Sequence, residues 1–204
     1  MPKRVDHDER RAELTAALLR IASSRGLQAV TMREVAAEAG VSLRVVQYYF
    51  TDKATLLTAG LAELAARLDR RVRQRAAAAG PGLSVRDVLE LVLSSVLPLD
   101  ADSRADSLAW TAYYTVALTD PSLGAGGTHH PDALEAYLTA RLARAQQEGE
   151  APAGLDARTE VVLLLALANG LTSSVLGRQR SGDDALRVLR HQLDRVLGPT
   201  AGPA

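Results

Sequence analysis

Cysteine is absent from the 204-residue sequence, which removes disulfides, thiolate metal sites and a cysteine nucleophile at once. Aromatic side chains are scarce, at 3% of residues, so whatever they build, they build locally. They form the run Tyr48-Tyr49-Phe50, the group Trp110, Tyr113 and Tyr114, and the lone Tyr137. Net charge is missing as well, since 24 Lys and Arg balance 24 Asp and Glu. Non-specific nucleic-acid affinity comes mainly from neutralising phosphates, so a neutral chain is a poor general polyanion binder and any DNA binding has to be local and specific. The longest uninterrupted apolar run, Val161 to Ala168, is followed by Asn169 and Gly170 and falls short of the roughly 20 residues a membrane span needs. Met1-Pro2-Lys3-Arg4-Val5-Asp6 lacks the apolar centre of a signal peptide. These absences predict a cytoplasmic protein with no membrane partner. No phosphate loop, dinucleotide fingerprint or nucleophile–base pair stands in the sequence, so it calls for no cofactor and gives enzyme chemistry no carrier.

What is present is helical. The apolar share of 47% is that of an ordinary globular protein, and the length suffices for one small module plus a larger domain with its own core. Apolar residues recur at three- and four-residue steps throughout and no segment reads as a strand pair, so the expected fold class is all-α. Two domains are expected, residues 1–52 and 53–204.

The densest information lies between Thr31 and Lys53. Thr31 and Glu34 have the spacing of a capping box, in which the hydroxyl takes a backbone N–H at the helix start and the carboxylate reaches back. Val35, Ala36 and Ala39 give that helix a small-residue side, and Gly40 can take the left-handed conformation that ends it. Val41 can fill the space under the corner, and Ser42 is a suitable N-cap for a second helix. Helix, short glycine turn and helix is the helix-turn-helix arrangement, whose second helix lies in the major groove with its N-terminal side chains at the bases. Arg44 and Gln47 are then expected to face DNA, and Lys53 to meet a phosphate at the next helix start. Basic residues gather in this part of the chain, but acidic ones nearly offset them. A helix from about Asp8 to Arg25, carrying Leu14, Ala17, Leu18 and Ile21, supports the pair, and ahead of it Lys3 and Arg4 belong either to an arm that touches DNA or to a disordered tail.

Small residues at Val35-Ala36, the corner Gly40-Val41-Ser42, the aromatic cluster Tyr48-Tyr49-Phe50 and Lys53 at the next helix start stand in an order that resembles the DNA-binding motif of the TetR family of bacterial transcriptional regulators. The resemblance implies DNA contacts from Thr31, Arg33, Ser42, Leu43, Arg44, Gln47, Tyr48, Tyr49 and Lys53. It implies a helical C-terminal domain for ligand binding and dimerisation, an inverted-repeat operator, and a small-molecule effector that releases it. One position departs from the pattern: members often carry Tyr on the exposed side of the second helix where this chain has Gln47, and Gln can pair bidentately with adenine. The competing reading is a helical small-molecule binding protein, or a helical enzyme, that keeps the helix-turn-helix as a structural module.

Beyond Asp52, which caps a long helix, the basic segment Arg70-Arg71-Val72-Arg73-Gln74-Arg75 reads as a solvated helix end. Further helices are expected from Ser84 to the stop at Pro98, from about Ser103 to Thr119, from Asp132 to about Gln147 after a glycine-rich connection, from about Asp156 to Leu176, and from about Asp183 to Leu197. The family resemblance implies a cavity among the middle helices, with Val92, Trp110, Tyr113, Tyr114, Tyr137 and Asn169 as candidate ligand residues; ordinary core packing accounts for each of them equally well. The last two helices are expected to meet their symmetry mates through Leu164, Leu171, Val175, Leu186, Leu189, Leu193 and Val196, because one is apolar on nearly every face and the other carries a narrow leucine seam; packing of both helices within the chain itself is the alternative. His129 and His130, near Asp132 and Glu135, sit in the expected loop with no third histidine close by, so no metal site is expected.

Overall fold

The computed structural model describes residues 7–118 and 129–198, with the side chains of His129 and His130 excepted. Among these residues there are nine α-helices, one short 3-10 turn at Leu27–Ala29 and no strand. The helices are α1 His7–Arg25, α2 Met32–Glu38, α3 Leu43–Tyr49, α4 Lys53–Ala79, α5 Val85–Val96, α6 Ala101–Ala117, α7 His129–Gln147, α8 Ala157–Leu176 and α9 Gly182–Leu197. The expected arm residues Lys3 and Arg4, and the glycine-rich stretch 124–128, lie outside the described residues. Helix α7 starts three residues before the expected Asp132, so His129 and His130 occupy its first turn rather than a loop.

The chain forms two compact units, Met1–Ala66 with Ala105–His129, and Arg67–Arg104 with His130–Ala204. The first unit therefore holds more than residues 1–52. It also takes the first half of α4 and most of α6. Its core joins Leu14, Leu18 and Ile21 of α1 to Val35, Val46 and Phe50, to Leu56, Leu61 and Leu64 of α4, and to Ala109 and Tyr113 of α6. Two surface ion pairs, Arg20 Nε to Glu38 Oε1 at 2.7 Å and Arg25 Nη1 to Glu34 Oε2 at 2.8 Å, link α1 to α2. Exposed pairs of this kind stabilise little. Their consequence is electrostatic, because they neutralise two of the carboxylates that offset the basic residues of this unit.

In the second unit, Leu89, Val92 and Leu93 of α5, Leu138 and Leu142 of α7, Val161, Leu164 and Leu171 of α8, and Leu189 and Leu193 of α9 form one core. Helix α5 begins with a complete capping box between Ser84 and Asp87, and α8 begins at Asp156, which accepts from the N–H groups of Arg158 and Thr159. The run of arginines on α4 is not merely solvated. Arg71 Nη1 donates to Ser95 O at 3.0 Å and Arg75 Nη1 to Ser95 Oγ at 2.9 Å, so two cations meet the C-terminal, electronegative end of α5.

The expected partner-facing leucines need correction. Leu164, Leu171, Val175, Leu189, Leu193 and Val196 are all buried within the chain's own second unit, and Leu186 is half-buried there. Periodicity located a buried seam correctly but not what covers it: α9 packs on α5 and α8 of the same chain. The outward side of α8 carries Thr159, Leu163, Ala166, Gly170 and Ser173, all exposed, at alternating steps of four and three that form one face. Val162 lies beside that face, and Val188, His191 and Arg195 are exposed on α9. By length and composition α8 is also apolar enough to cross a membrane, with mean hydropathy 1.6, although Asn169 and Gly170 interrupt its longest apolar run.

Candidate nucleic-acid interface

Helix α2 starts where the side chain of Thr31 accepts the N–H of Glu34 at 3.1 Å. The carboxylate of Glu34 does not return the bond; it pairs with Arg25 instead. The other end of α2 is closed by Gly40 N to Ala37 O at 3.2 Å and Val41 N to Ala36 O at 2.9 Å, the pair of bonds of a Schellman ending. Gly40 lies at φ +66°, which a β-carbon disfavours. Val41 packs on the core beneath the corner.

Helix α3 follows with Ser42 at its N-cap, but the Ser42 hydroxyl makes no capping bond. That leaves it exposed at the helix start, while Val45 N and Val46 N both turn back to Ser42 O, at 3.0 and 3.4 Å. The inward side of α3 is fixed by fully buried Val46. Opposite it, Arg44, Gln47 and Tyr48 are exposed, and Leu43 and Tyr49 are half-buried. Thr31 and Arg33 at the start of α2 and Lys53 at the start of α4 are exposed too. Arg33, Arg44 and Lys53 enter no ion pair among the described residues, in contrast to Arg20 and Arg25 on α1. Glu34 and Glu38 are used by α1, and these three cations are left open. A neutral chain thereby acquires a locally basic face.

The aromatic run anchors this face from behind. Phe50 is fully buried, with the Arg11 guanidinium 4.5 Å from its ring centre. Arg11 Nη1 also donates to Tyr49 O at 3.2 Å, and the His7 ring lies 4.6 Å from that of Tyr49. Tyr48 meets Tyr49 edge to face at 5.1 Å. Between the start of α1 and the outer side of α3 lies an open recess of about 420 Å³ lined by Arg10, Ser42, Arg44, Val45, Tyr48 and Tyr49. Sequence reasoning assigned His7, Arg10 and Arg11 no part in this site. Their signal was present only in three dimensions, since α3 returns to the first turns of α1.

Beneath Lys53, Asp52 Oδ1 accepts the N–H of Thr55 at 2.7 Å, and bonding to Thr55 holds the Asp52 carboxyl below its ordinary range. The carboxylate is thus committed to the start of α4, beside the cation of Lys53.

The candidate ligand residues are dispersed. Trp110 packs on the first unit's core, Tyr113 is buried inside it, and Tyr114 is exposed. In the second unit Val92 is buried, whereas Tyr137 and Asn169 are exposed. Among the described residues, no cluster of three or more His, Asp or Glu is arranged to hold a metal ion.

Comparison with known proteins covers both units. Residues 14–59 match the family model described as bacterial regulatory proteins, tetR family, and residues 85–198 match the BetI-type transcriptional repressor, C-terminal. The chain is 29% identical over 201 residues to the HTH-type transcriptional regulator BetI of Paraburkholderia phytofirmans, covering 97% of this chain and 98% of that one. It is 23% identical over 202 residues to the HTH-type transcriptional regulator PksA of Bacillus subtilis, covering 97% and 90%. Among solved structures, a TetR-family transcriptional regulator from Rhodococcus sp. aligns with a TM-score of 0.85 at 28% identity, covering 93% of this chain and 99% of that one. A transcriptional regulator from Saccharomonospora viridis, solved in complex with choline, shares the fold at a TM-score of 0.80 and 23% identity, covering 92% and 96%.

Proposed function

This chain belongs to the TetR family of transcriptional regulators, with a C-terminal domain of the BetI repressor type, and from that premise we propose that it represses transcription by placing two copies of α3 in successive major grooves of an inverted-repeat operator. The relatives are HTH-type transcriptional regulators, and the chain is a ligand-responsive regulator of that kind. The observation that carries the finer reading is the exposed trio Arg44, Gln47 and Tyr48 on the side of α3 opposite buried Val46. Arg44 and Gln47 read base edges, Arg most often guanine and Gln adenine. Thr31, Arg33, Ser42, Tyr48, Tyr49 and Lys53 hold the backbone and set register, and Leu43 packs at the groove edge.

Two copies are needed to span half-sites about 34 to 36 Å apart. The outward face of α8 around Leu163, Ala166 and Gly170, with Val188 of α9, is the surface that meets its symmetry mate. Its two small residues let helices approach closely, and covering it explains why α8 is apolar on the side its own core does not use. A small molecule bound by the C-terminal domain then shifts the equilibrium between DNA-competent and incompetent arrangements to the extent that it prefers one of them.

The test is selection of bound DNA from a random pool by the purified full-length chain at physiological salt. An enriched inverted repeat is the expected result, and a pool that stays random sinks the repressor reading. Choline, which the S. viridis regulator holds, is the first compound to add to the resulting complex. DNA-independent ligand binding with no enriched sequence favours the binding-protein alternative.

A further inference from the structure

Gly60 stands in the middle of α4 among leucines and alanines, where glycine is less favourable than alanine. Its backbone is ordinary helix, so conformational freedom is not why it is there. Space is. A β-carbon at Gly60 would overlap the Tyr113 hydroxyl and lie 3.1 Å from Tyr113 Cζ and 2.8 Å from Leu18 Cδ2. Helices α1, α4 and α6 therefore meet at one point inside the first unit, and the absence of a side chain on α4 makes the seat for a ring on α6.

The seat is polar at its floor. Tyr113 Oη donates to Leu57 O at 2.9 Å, a buried bond to the backbone of α4 itself. Tyr113 is 2% exposed, whereas its neighbour Tyr114 is 62% exposed, so the inward ring is a specific choice rather than general aromatic crowding. Burial pushes the Tyr113 phenol above its ordinary range and keeps it a hydrogen-bond donor. Leu57 lies one helical turn from Lys53 and the Asp52 cap, at the end of α4 that follows α3 directly.

Both helices are also tied at their other ends. Arg71 and Arg75 of α4 hold Ser95, and Arg104 Nη2 of α6 donates to Leu176 O at the end of α8, at 3.3 Å. We infer that Tyr113, seated over Gly60 and bonded to the Leu57 carbonyl, is the positioning residue through which α6 sets where α4, and with it Lys53 and α3, stand for operator binding. This deepens the repressor reading and rests on it. A displacement of α6 at this level bears on α4, because the ring sits against the Gly60 backbone and is bonded to the Leu57 carbonyl.

The test uses the full chain, the operator recovered by selection, and three variants: Gly60→Ala, Tyr113→Phe, and both together. Operator affinity is measured by fluorescence anisotropy well below each variant's melting temperature, which is recorded separately. Gly60→Ala, which pushes the ring out of its seat, is expected to weaken operator binding by about tenfold, the usual size of a coupling between sites. Tyr113→Phe, which keeps the ring and loses the bond, is expected to weaken it by about fivefold, the equivalent of one net hydrogen bond. The double variant removes the severest collision, that with the Tyr113 hydroxyl, and leaves only the flexible end of Leu18 to move aside, so it recovers to near the affinity of Tyr113→Phe alone. A residue with a purely structural role lowers the melting temperature and leaves the affinity of the folded protein unchanged; that result for Gly60→Ala overturns the inference. So does a double variant no better than Gly60→Ala. If Gly60→Ala fails to fold, Tyr113→Phe decides, and wild-type affinity in that variant overturns the inference. Failure of the wild-type chain to enrich any DNA is a different outcome and sinks the repressor reading itself.

Discussion

Leu163 and Leu189 make a paired experiment on which side of the last two helices meets a partner. Leu189 has no exposed surface and sits in the second unit's core, so Leu189→Ala removes buried methyl groups and leaves a cavity, costing about 3 kcal/mol within the usual range for such a change. For a chain of this size that lowers the melting temperature by about 6–12 °C. Leu163 is 53% exposed, so a partner covers about half of its side chain, worth about 1 kcal/mol in each copy. In a two-fold dimer the loss counts twice, and Leu163→Asp adds two carboxylates to an apolar contact, bringing the total to at least about 3 kcal/mol. That corresponds to a dimer dissociation constant raised roughly a hundredfold or more. Sedimentation across a concentration series reads the dimer and thermal unfolding reads the fold. The expected pattern is a Leu163→Asp chain that dissociates at concentrations where wild type is dimeric, and a Leu189→Ala chain that unfolds earlier but sediments as wild type does. If Leu163→Asp stays as dimeric as wild type while Leu189→Ala separates, the assignment of faces is refuted and the seam reading of α9 returns.

Other expectations concern the DNA-facing unit and the helix caps. Gln47→Ala should relax base preference at one operator position by about 1–3 kcal/mol, whereas Lys53→Ala should weaken binding to all sequences and reduce the salt slope by about one; equal losses on cognate and random DNA for Gln47→Ala contradict base reading. Gly40→Ala should destabilise the fold by about 1–2 kcal/mol through its positive φ alone, since the added β-carbon meets nothing within 4 Å; an unchanged melting temperature counts against the strain. Asp52, Asp100 and Asp156 have carboxyl groups held below the ordinary carboxylate range, chiefly by the N–H groups of Thr55, Ser103 and Thr159 respectively. Because their folded values are depressed, the stability they contribute is present above the unfolded value and lost as pH falls through the folded ones. Unfolding free energy should therefore hold steady from neutral pH to about 5 and decline in more acidic solution, and the triple Asp→Asn variant should show a shallower acid decline; an identical slope removes these caps from the account.

The fold was legible wherever local chemistry decides it. Thr31, Asp52, Ser84 and Asp156 start helices by accepting backbone N–H groups, and Gly40 ends one by taking positive φ, so most expected boundaries fall within a few residues of the observed ones. The face of α3 was legible for the same reason, because Val46 points inward and Arg44 and Gln47 have to point elsewhere. What a stripe packs against is a different kind of question. Helix α8 is apolar at Leu163 and Leu164 alike, and no periodicity separates the exposed one from the buried one. The leucines of α9 are buried as their spacing requires, but by α5 and α8 rather than a second chain. Tyr113 and Tyr114 are adjacent, hence about 100° apart on the helix, so naming both as ligand candidates did not separate the one that belongs to the core from the one that is exposed. Gly60 was the overlooked signal: a glycine inside a strong helical pattern marks either strain or a close neighbour.

The membership of α6 in the first unit also bears on the order in which the chain matures. Domains near the N-terminus generally fold first during synthesis, and helices α1 to α3 with Lys53 at the start of α4 contain the DNA-facing surface. Yet their core includes Ala109 and Tyr113, which leave the ribosome only after α4 and α5 have been made. Until then Gly60 stands over an unfilled seat. The reading surface is written in the first quarter of the chain and completed past its midpoint, so a nascent chain cannot present a finished DNA-binding face before α4, α5 and much of α6 have been made. The same dependence limits transplantation: a head moved to another regulator as residues 1–66 travels without the ring that closes it, and one moved with residues 105–118 carries its own latch.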